Sequence, residues 1–448
     1  MASTPIDSQV FGFMFSTPEM KHVFSDESLV QKWLDIEAAI AKAQAERGII
    51  PQDAADEIQG KAKADRIDIP SIGEFYKSSI TIVPLLKAFM TILTPHAREY
   101  LHWSSTTQDI FDSATSLLLK EAHAILLQRL RKLEKCCYDL AEKHRDTIMV
   151  GRTQAQQAMP ITFGFKAAIW AAECSRHVAR MEHCAESLFL GEISGAVGTL
   201  ASMGDDAMEV RARIFEILGL KAPVIAWHVS RDHIAAFISL LGIVSATGAK
   251  IASEVMMLQR TEYGELEEPY FAGKIGSSTM PHKRNPQACA NVVAIAKTVR
   301  SIAPLAMDAM VCSNERDWTC ELSEWEFIPR ACILTDTVLE KTAYILEDLR
   351  VYPKRMEDNM YILRGLMLSE AVSTELSKKL GHHTAHDVLQ KLCMDVFEKG
   401  GELYDALVNN PVVSKEFSKE ELKAMLNPYA YTGYAGEFVD AVLKKRPA

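Results

Sequence analysis

From Asp112 to Val150 the chain contains neither glycine nor proline. That absence removes the usual turn chemistry from the whole stretch and predicts one continuous helix. Other absences narrow the class. There is no basic excess: 49 Lys and Arg stand against 59 Asp and Glu, a net charge of −10. Nonspecific nucleic-acid binding draws on basic surface, so no nucleic-acid partner is expected. An acidic substrate stays open, because a small cationic pocket can sit in an acidic protein. No Cys-x-x-Cys pair occurs among nine cysteines, an odd number in which Cys136 and Cys137 are adjacent. This argues against a disulfide framework and for a reducing, cytoplasmic setting. The N-terminus lacks a basic segment followed by an apolar one, so no signal peptide is expected. No uncharged apolar run reaches membrane-spanning length, so no membrane partner is expected either. Internal repeats, low-complexity tracts and Gly-rich phosphate loops are missing, and strand-like alternation is scarce.

What is present is helical. The chain has 448 residues, 48% of them hydrophobic, enough for two to four domains and a large core without staples. Ser25 or Asp26 can cap a first helix whose face is Val30, Trp33, Leu34, Glu37, Ile40 and Ala41, with Gly48 and Pro51 ending it. Leu118, Ala122, Leu126, Leu130, Leu133, Cys137 and Leu140 then recur at spacings of three and four. They predict a helix on the order of 50 Å at 1.5 Å per residue, which needs neighbours along its length. Further long helices are expected over about 160–190, 231–263, 286–311 and 321–350, with Pro329 a candidate kink. The predicted fold is all-α. A central bundle of five long helices spans 112–351, with smaller helical domains over 1–111 and 352–448.

Polar segments interrupt these helices. The densest is Gly276-Ser277-Ser278-Thr279-Met280-Pro281-His282-Lys283-Arg284-Asn285-Pro286. A serine hydroxyl is a poor base at neutral pH unless backbone donors and a lysine stabilise its alkoxide beside a bound carboxylate. Ser277 and Lys283 fit those roles, Asn285 can hold the second carboxylate oxygen, and Ser278 is a further candidate. Glycines at 273 and 276 would permit a lid-like motion. The segment His102 to Asp109 precedes the longest helix, where Thr106 and Thr107 can offer hydroxyls to an anion or simply cap the helix. Gly151 to Pro160 reads as a turn between helices, unusual for its glutamines at 154, 156 and 157. In His228 to His233, Ser230 and His233 are candidates, and Asp232 can pair with Arg231 or cap a helix. His382 and His386 have the i, i+4 spacing of two zinc ligands, but no third ligand is evident and no metal site is predicted.

These segments carry a resemblance. The chain resembles the fumarase/aspartase superfamily over nearly its full length. The likeness begins in the opening Phe11 to Asp26 and extends to Asn314-Glu315-Arg316-Asp317 and Glu324-Trp325-Glu326. It is most similar to the 3-carboxy-cis,cis-muconate lactonising branch, with adenylosuccinate lyase next. The resemblance implies a homotetramer with a twenty-helix core, active sites shared among three subunits, and no metal or organic cofactor. It also implies anti elimination across a succinyl unit through a carbanion held as an aci-carboxylate. Carried over, Ser277 is the base, and Lys283 and Asn285 hold a carboxylate. Thr106, Thr107 and Thr153 hold carboxylate oxygens, and Arg316 lies in a family-like segment.

The chain also departs from the family. Adenylosuccinate lyases carry histidine where this chain has Gln154. The lactonising branch carries one where it has Gln157, and the usual downstream glutamate falls on Ala290. The family's acid pair is therefore missing, unless His102 or His233 replaces it. A leaving group that needs no proton from the enzyme is expected, such as an alkylammonium. The places that hold a nucleotide phosphate in adenylosuccinate lyases fall on Thr319 to Leu322 and Trp325, which argues against adenylosuccinate as substrate. The sequence thus predicts a lyase acting on a small dicarboxylate, most simply by C–N cleavage. A carboxymuconate cycloisomerase is the first alternative, and a non-catalytic protein on a lyase scaffold the second.

Overall fold

Ser25 opens the first long helix, α1 (Asp26–Ala45). Its hydroxyl accepts from Ser28 N at 3.2 Å, and Asp26 and Glu27 sit at the positive end of the helix dipole. The structure, a computed structural model, describes residues 4–79, 81–271 and 273–447. Five longer helices follow: α2 (Thr107–Lys143), α3 (Phe163–Leu188), α4 (Asp232–Leu258), α5 (Gln287–Asp308) and α6 (Trp318–Glu347). They correspond to the five predicted from periodicity, and the fold is all-α. Pro329 lies inside α6, which continues beyond it to Glu347.

Two expectations change. The predicted long helix was to run to Val150, and Gly151 to Pro160 was to be a turn. Instead α2 stops at Lys143, and a β-hairpin of β1 (Ile148–Thr153) and β2 (Gln156–Thr162) follows. Its two-residue loop is Gln154-Ala155, with φ of 51° and 66°. Positive φ at both central residues gives the twist that hairpins need, normally through Asn-Gly. Gln-Ala hides that signal. Gly151 is required in β1, since a Cβ there would lie 2.8 Å from the Met159 carbonyl oxygen. A left-handed conformation costs a non-glycine residue about 1–2 kcal/mol. Ala155→Gly is therefore expected to raise the first thermal unfolding transition and Ala155→Val to lower it, as scanning calorimetry would show.

The chain divides into two compact units, Met1–Leu130, His177–Ala249 and Asn291–Glu340 in one, Arg131–Arg176, Lys250–Ala290 and Lys341–Ala448 in the other. Each of the five long helices contributes residues to both. In the first unit, Leu34, Ile36 and Ile40 of α1 join Phe89, Ile110, Phe111 and Phe215 in one apolar core. In the second, Leu266–Glu267 pairs with Arg350–Val351, and Pro353 then starts the next helix. Val372, Leu376, Leu389, Leu403 and Leu407 form a separate C-terminal core. Helices α4 and α5 are long and apolar enough to cross a membrane by composition. In α4, 72% of the most apolar window is buried in the chain itself, against 33% in α5.

Candidate active site

In the second unit the signature loop folds on itself. Gly276 lies against the Lys283 carbonyl, so close that a Cβ at 276 would sit 2.2 Å from that oxygen. Close approach explains this glycine, where the sequence suggested mobility; Gly273, at φ 93°, is the one in left-handed conformation. The Asn285 amide nitrogen donates to the Gly276 carbonyl at 2.6 Å and closes the loop. Within it the Ser277 hydroxyl oxygen accepts backbone N–H bonds from Thr279 (3.3 Å) and Met280 (3.1 Å). Two such donors favour negative charge on that oxygen. Ser277 is half-buried, and Ser278 and Lys283 are exposed.

Lys283 and Asn285 line a cleft of about 630 Å³, together with Gln259, Glu267, His282 and Tyr352. The segments around it are braced by hydrogen bonds. Glu268, buried, accepts from Cys289 N (2.9 Å) and Ala288 N (3.2 Å) at the start of α5 and from Lys274 Nζ (2.7 Å). Glu267 takes Arg284 (3.0 Å) and the Tyr352 hydroxyl (2.5 Å). These contacts hold Glu267 below its usual carboxylate range even though burial opposes the shift. At the hairpin, Thr153 and Gln154 are exposed at the tip. Next to the tip, Arg152 reaches both oxygens of buried Glu265 at 2.6 and 3.0 Å. Gln157, where the lactonising branch has histidine, turns to the Asn359 carbonyl at 3.1 Å.

In the first unit the remaining candidates gather around the start of α2. Thr106 N donates to Asp109 at 3.0 Å, and the Thr107 hydroxyl accepts from Ile82 N at 3.4 Å. Asp109, fully buried, also accepts from Ser194 N, Gly195 N and His228 Nε2. Asp109, Glu192 and His228 have the spacing of a metal site. Their oxygens are already engaged, however, since Glu192 accepts from the Ser194 hydroxyl and Trp227 N. This trio is a hydrogen-bonded knot, and its chemistry suits scaffolding rather than a cation. Arg316 donates to the Ala196 carbonyl at 2.9 Å. Ser230 is exposed, 3.4 Å from Asp232.

Arg231 does not pair with Asp232, as the sequence allowed. It is buried between Asp112 (2.8 Å) and Glu324, whose Oε1 accepts from Nε at 2.8 Å. The two histidine candidates separate. His233 is buried against Trp227, and burial followed by the Arg231 charge brings its pKa down to about 4, so at neutral pH it is uncharged. His102 instead bonds through Nδ1 to Glu37 at 2.7 Å. Burial opposes the charge, but the Glu37 carboxylate prevails and the His102 pKa is raised. The sequence reading counted Glu37 as part of an apolar helix face. Its carboxylate is in fact buried against a histidine, and a lone acid on an otherwise apolar stripe was the signal for it.

The chain is similar to known proteins over nearly its full length. A family model described as lyase matches residues 13–301, and one described as adenylosuccinate lyase C-terminus matches 365–442. An adenylosuccinate lyase of Methanocaldococcus jannaschii is 38% identical, covering 99% of this chain and 96% of that protein. An N-acetyl-S-(2-succino)cysteine lyase of Dickeya dadantii is 37% identical, covering 99% and 98%. The crystal structure of a 3-carboxy-cis,cis-muconate lactonizing enzyme from Pseudomonas putida superposes with a TM-score of 0.92 at 34% identity, covering 98% of this chain and 99% of that one.

Proposed function

Because this chain belongs to the fumarase/aspartase superfamily of lyases, we propose that it catalyses a reversible anti β-elimination on a small succinyl- or aspartate-like dicarboxylate. The bond broken is C–N, and fumarate or a relative is released. The observation that carries this reading is the pair of backbone N–H groups on the Ser277 oxygen, inside a loop whose Lys283 and Asn285 line the adjoining cleft. Ser277, as alkoxide, takes the proton beside the substrate's β-carboxylate. The electron pair passes into that carboxylate, held by Lys283 and Asn285 as the aci form. It then returns to make the C=C bond as the amine leaves from the neighbouring carbon. Thr106, Thr107, Thr153, Gln154 and Arg316 are assigned to substrate binding, in active sites to which several copies of the chain contribute. The step as written requires neither metal nor organic cofactor. The adenylosuccinate and succinocysteine relatives have names that share the succinyl unit and differ in the leaving group. That supports a dicarboxylate half common to all.

The second reading is a 3-carboxymuconate cycloisomerase, and the His102–Glu37 pair favours it, since a raised pKa keeps a proton available for a carbanion or a basic leaving group. A panel of N-substituted aspartates and 3-carboxymuconate, followed by ultraviolet absorbance, tests both. Cleavage of the aspartates with fumarate formation is expected; turnover of carboxymuconate alone would replace the first reading by the second, and no turnover of either would refute both. If His102 donates, its raised pKa means activity persists at acid and neutral pH and falls as pH rises through it. His102→Gln would then remove that limb of the kcat profile. A substrate with a ready-made ammonium leaving group is expected to show no such limb.

The proposal extends to a cytoplasmic homotetramer with shared active sites. Ile169, Ile243, Met257, Leu305 and Met307, all on α3 to α5, are exposed in the single chain, as helices packed against other copies would leave them. Sedimentation at micromolar concentration is expected to give a tetramer, and a stable monomer would contradict a shared site.

A further inference from the structure

Two of the nine cysteines meet at the junction between α5 and α6. Cys312 follows the end of α5, and Cys320 lies in the first turn of α6. The Cys312 thiol donates to the Cys320 sulfur at 2.9 Å. A disulfide bond is about 2.05 Å long, so closing this pair brings the sulfurs together by less than about 1 Å. The segment between them is already drawn into a ring. Asp317 accepts from Ser313 N (2.9 Å), Thr319 N (3.0 Å) and the Thr319 hydroxyl (2.6 Å). Arg316, inside the ring, donates to the Ala196 carbonyl at 2.9 Å. Asn314 turns the chain with a φ of 57°.

Exposure singles this pair out. Cys312 is half-buried, so a small reagent reaches one sulfur, and buried Cys320 offers the second. Cys137 and Cys174 also share a hydrogen bond, but both are fully buried. Cys184 is half-buried, yet it bonds to the Met181 carbonyl and not to another thiol.

We propose that Cys312 and Cys320 form an oxidation site, open as two thiols in reducing surroundings and closed to a disulfide by a low-molecular-weight disulfide such as glutathione disulfide. The Cys312 thiolate attacks one sulfur of that reagent, and one glutathione leaves, taking up the proton that Cys312 lost. Cys320 then gives up its proton and attacks the Cys312 sulfur, expelling the second glutathione. Two protein thiols are oxidised, and one reagent disulfide is reduced to two thiols. The closed ring fixes the segment that carries Arg316 to the start of α6. The site stands whichever bond the enzyme breaks.

The surroundings set the rate. Burial, then the Cys320 thiol, push the Cys312 pKa up to about 12; Asp317 adds to the shift and Arg231 opposes it. Thiolate is therefore scarce at neutral pH and closing is slow there. Its rate is expected to rise about tenfold per pH unit.

The test is incubation of the folded, full-length protein with glutathione disulfide at mildly alkaline pH, followed by alkylation of the remaining thiols, trypsin digestion and mass spectrometry. Trypsin cuts after Arg300, Arg316 and Arg330, so the new bond joins peptide 301–316 to peptide 317–330, each with one cysteine. The joined pair is expected at the sum of the two masses less two hydrogens, and dithiothreitol should return the separate peptides. The first thermal transition of the closed form is expected about 5 °C above that of the reduced protein. Cys312→Ser, treated in the same way, should show no such rise, and Cys320→Ser should keep glutathione on Cys312. Separate peptides with both cysteines alkylated, glutathione left on Cys312 in the unsubstituted protein, or a joined pair that forms only in urea would overturn the site. Earlier unfolding of the closed form would overturn the claim that closing fixes the segment.

Discussion

Ser277→Ala is expected to lower kcat roughly 10²–10⁴-fold while a saturated dicarboxylate such as succinate binds with nearly unchanged affinity. The base acts only on the way to the carbanion, so its loss belongs to the transition state and not to ground-state binding. The loop geometry sharpens this. Ser277 Oγ accepts from Thr279 N and Met280 N, so alanine removes the acceptor of two N–H groups without removing either partner of the Asn285 bond to Gly276 that closes the loop. Lys283→Ala is expected to behave differently, raising the succinate Kd as well as lowering kcat. A charge-assisted contact to a carboxylate exists before and during reaction and is worth about 1.5–3 kcal/mol. Isothermal titration paired with steady-state kinetics separates the two variants. Near-normal kcat in Ser277→Ala would remove the serine from the base role.

The second large effect is structural. Arg231→Leu is expected to cost about 3–5 kcal/mol, because it leaves Asp112 and Glu324 buried without their cation. A shift of the first thermal transition on the order of 10 °C follows. The desolvation argument also predicts the cure. Converting Asp112 and Glu324 to Leu in the same chain should recover much of the loss, since an apolar cluster replaces an ionic one without an orphan charge. Calorimetry on the single and triple variants checks both parts. A triple variant no better than the single one would mean that the ion triad contributes more than charge balance.

How far the sequence could be read follows from the kind of signal each feature carries. The five long helices were legible because their apolar residues repeat at three and four over many turns, a pattern that survives whatever packs against it. The loop carrying Ser277, Lys283 and Asn285 stood out because an unusual order of residues stands in one short run, and it folds as one closed turn of chain. The hairpin at 148–162 was not, because its turn is built from Gln154 and Ala155 rather than glycine or asparagine. Glu37 was hidden for another reason: its partner His102 lies 65 positions away, and helical periodicity reports faces, not partners. Arg231 misled for the same reason, since its neighbour Asp232 was visible and its real partners Asp112 and Glu324 were not.

Asp109 carries a practical consequence. One carboxylate receives Thr106 N, Ser194 N, Gly195 N and His228, and so ties three stretches of chain that are far apart in sequence. A loss-of-activity screen would rank it beside Ser277 although it touches no substrate in the chemistry proposed. Asparagine there would offer one acceptor where two are used and turn an N–H toward backbone N–H groups. Anyone re-engineering this enzyme should therefore leave that position alone, and treat Thr106, whose N–H it holds, as adjustable only in side chain, never in backbone path.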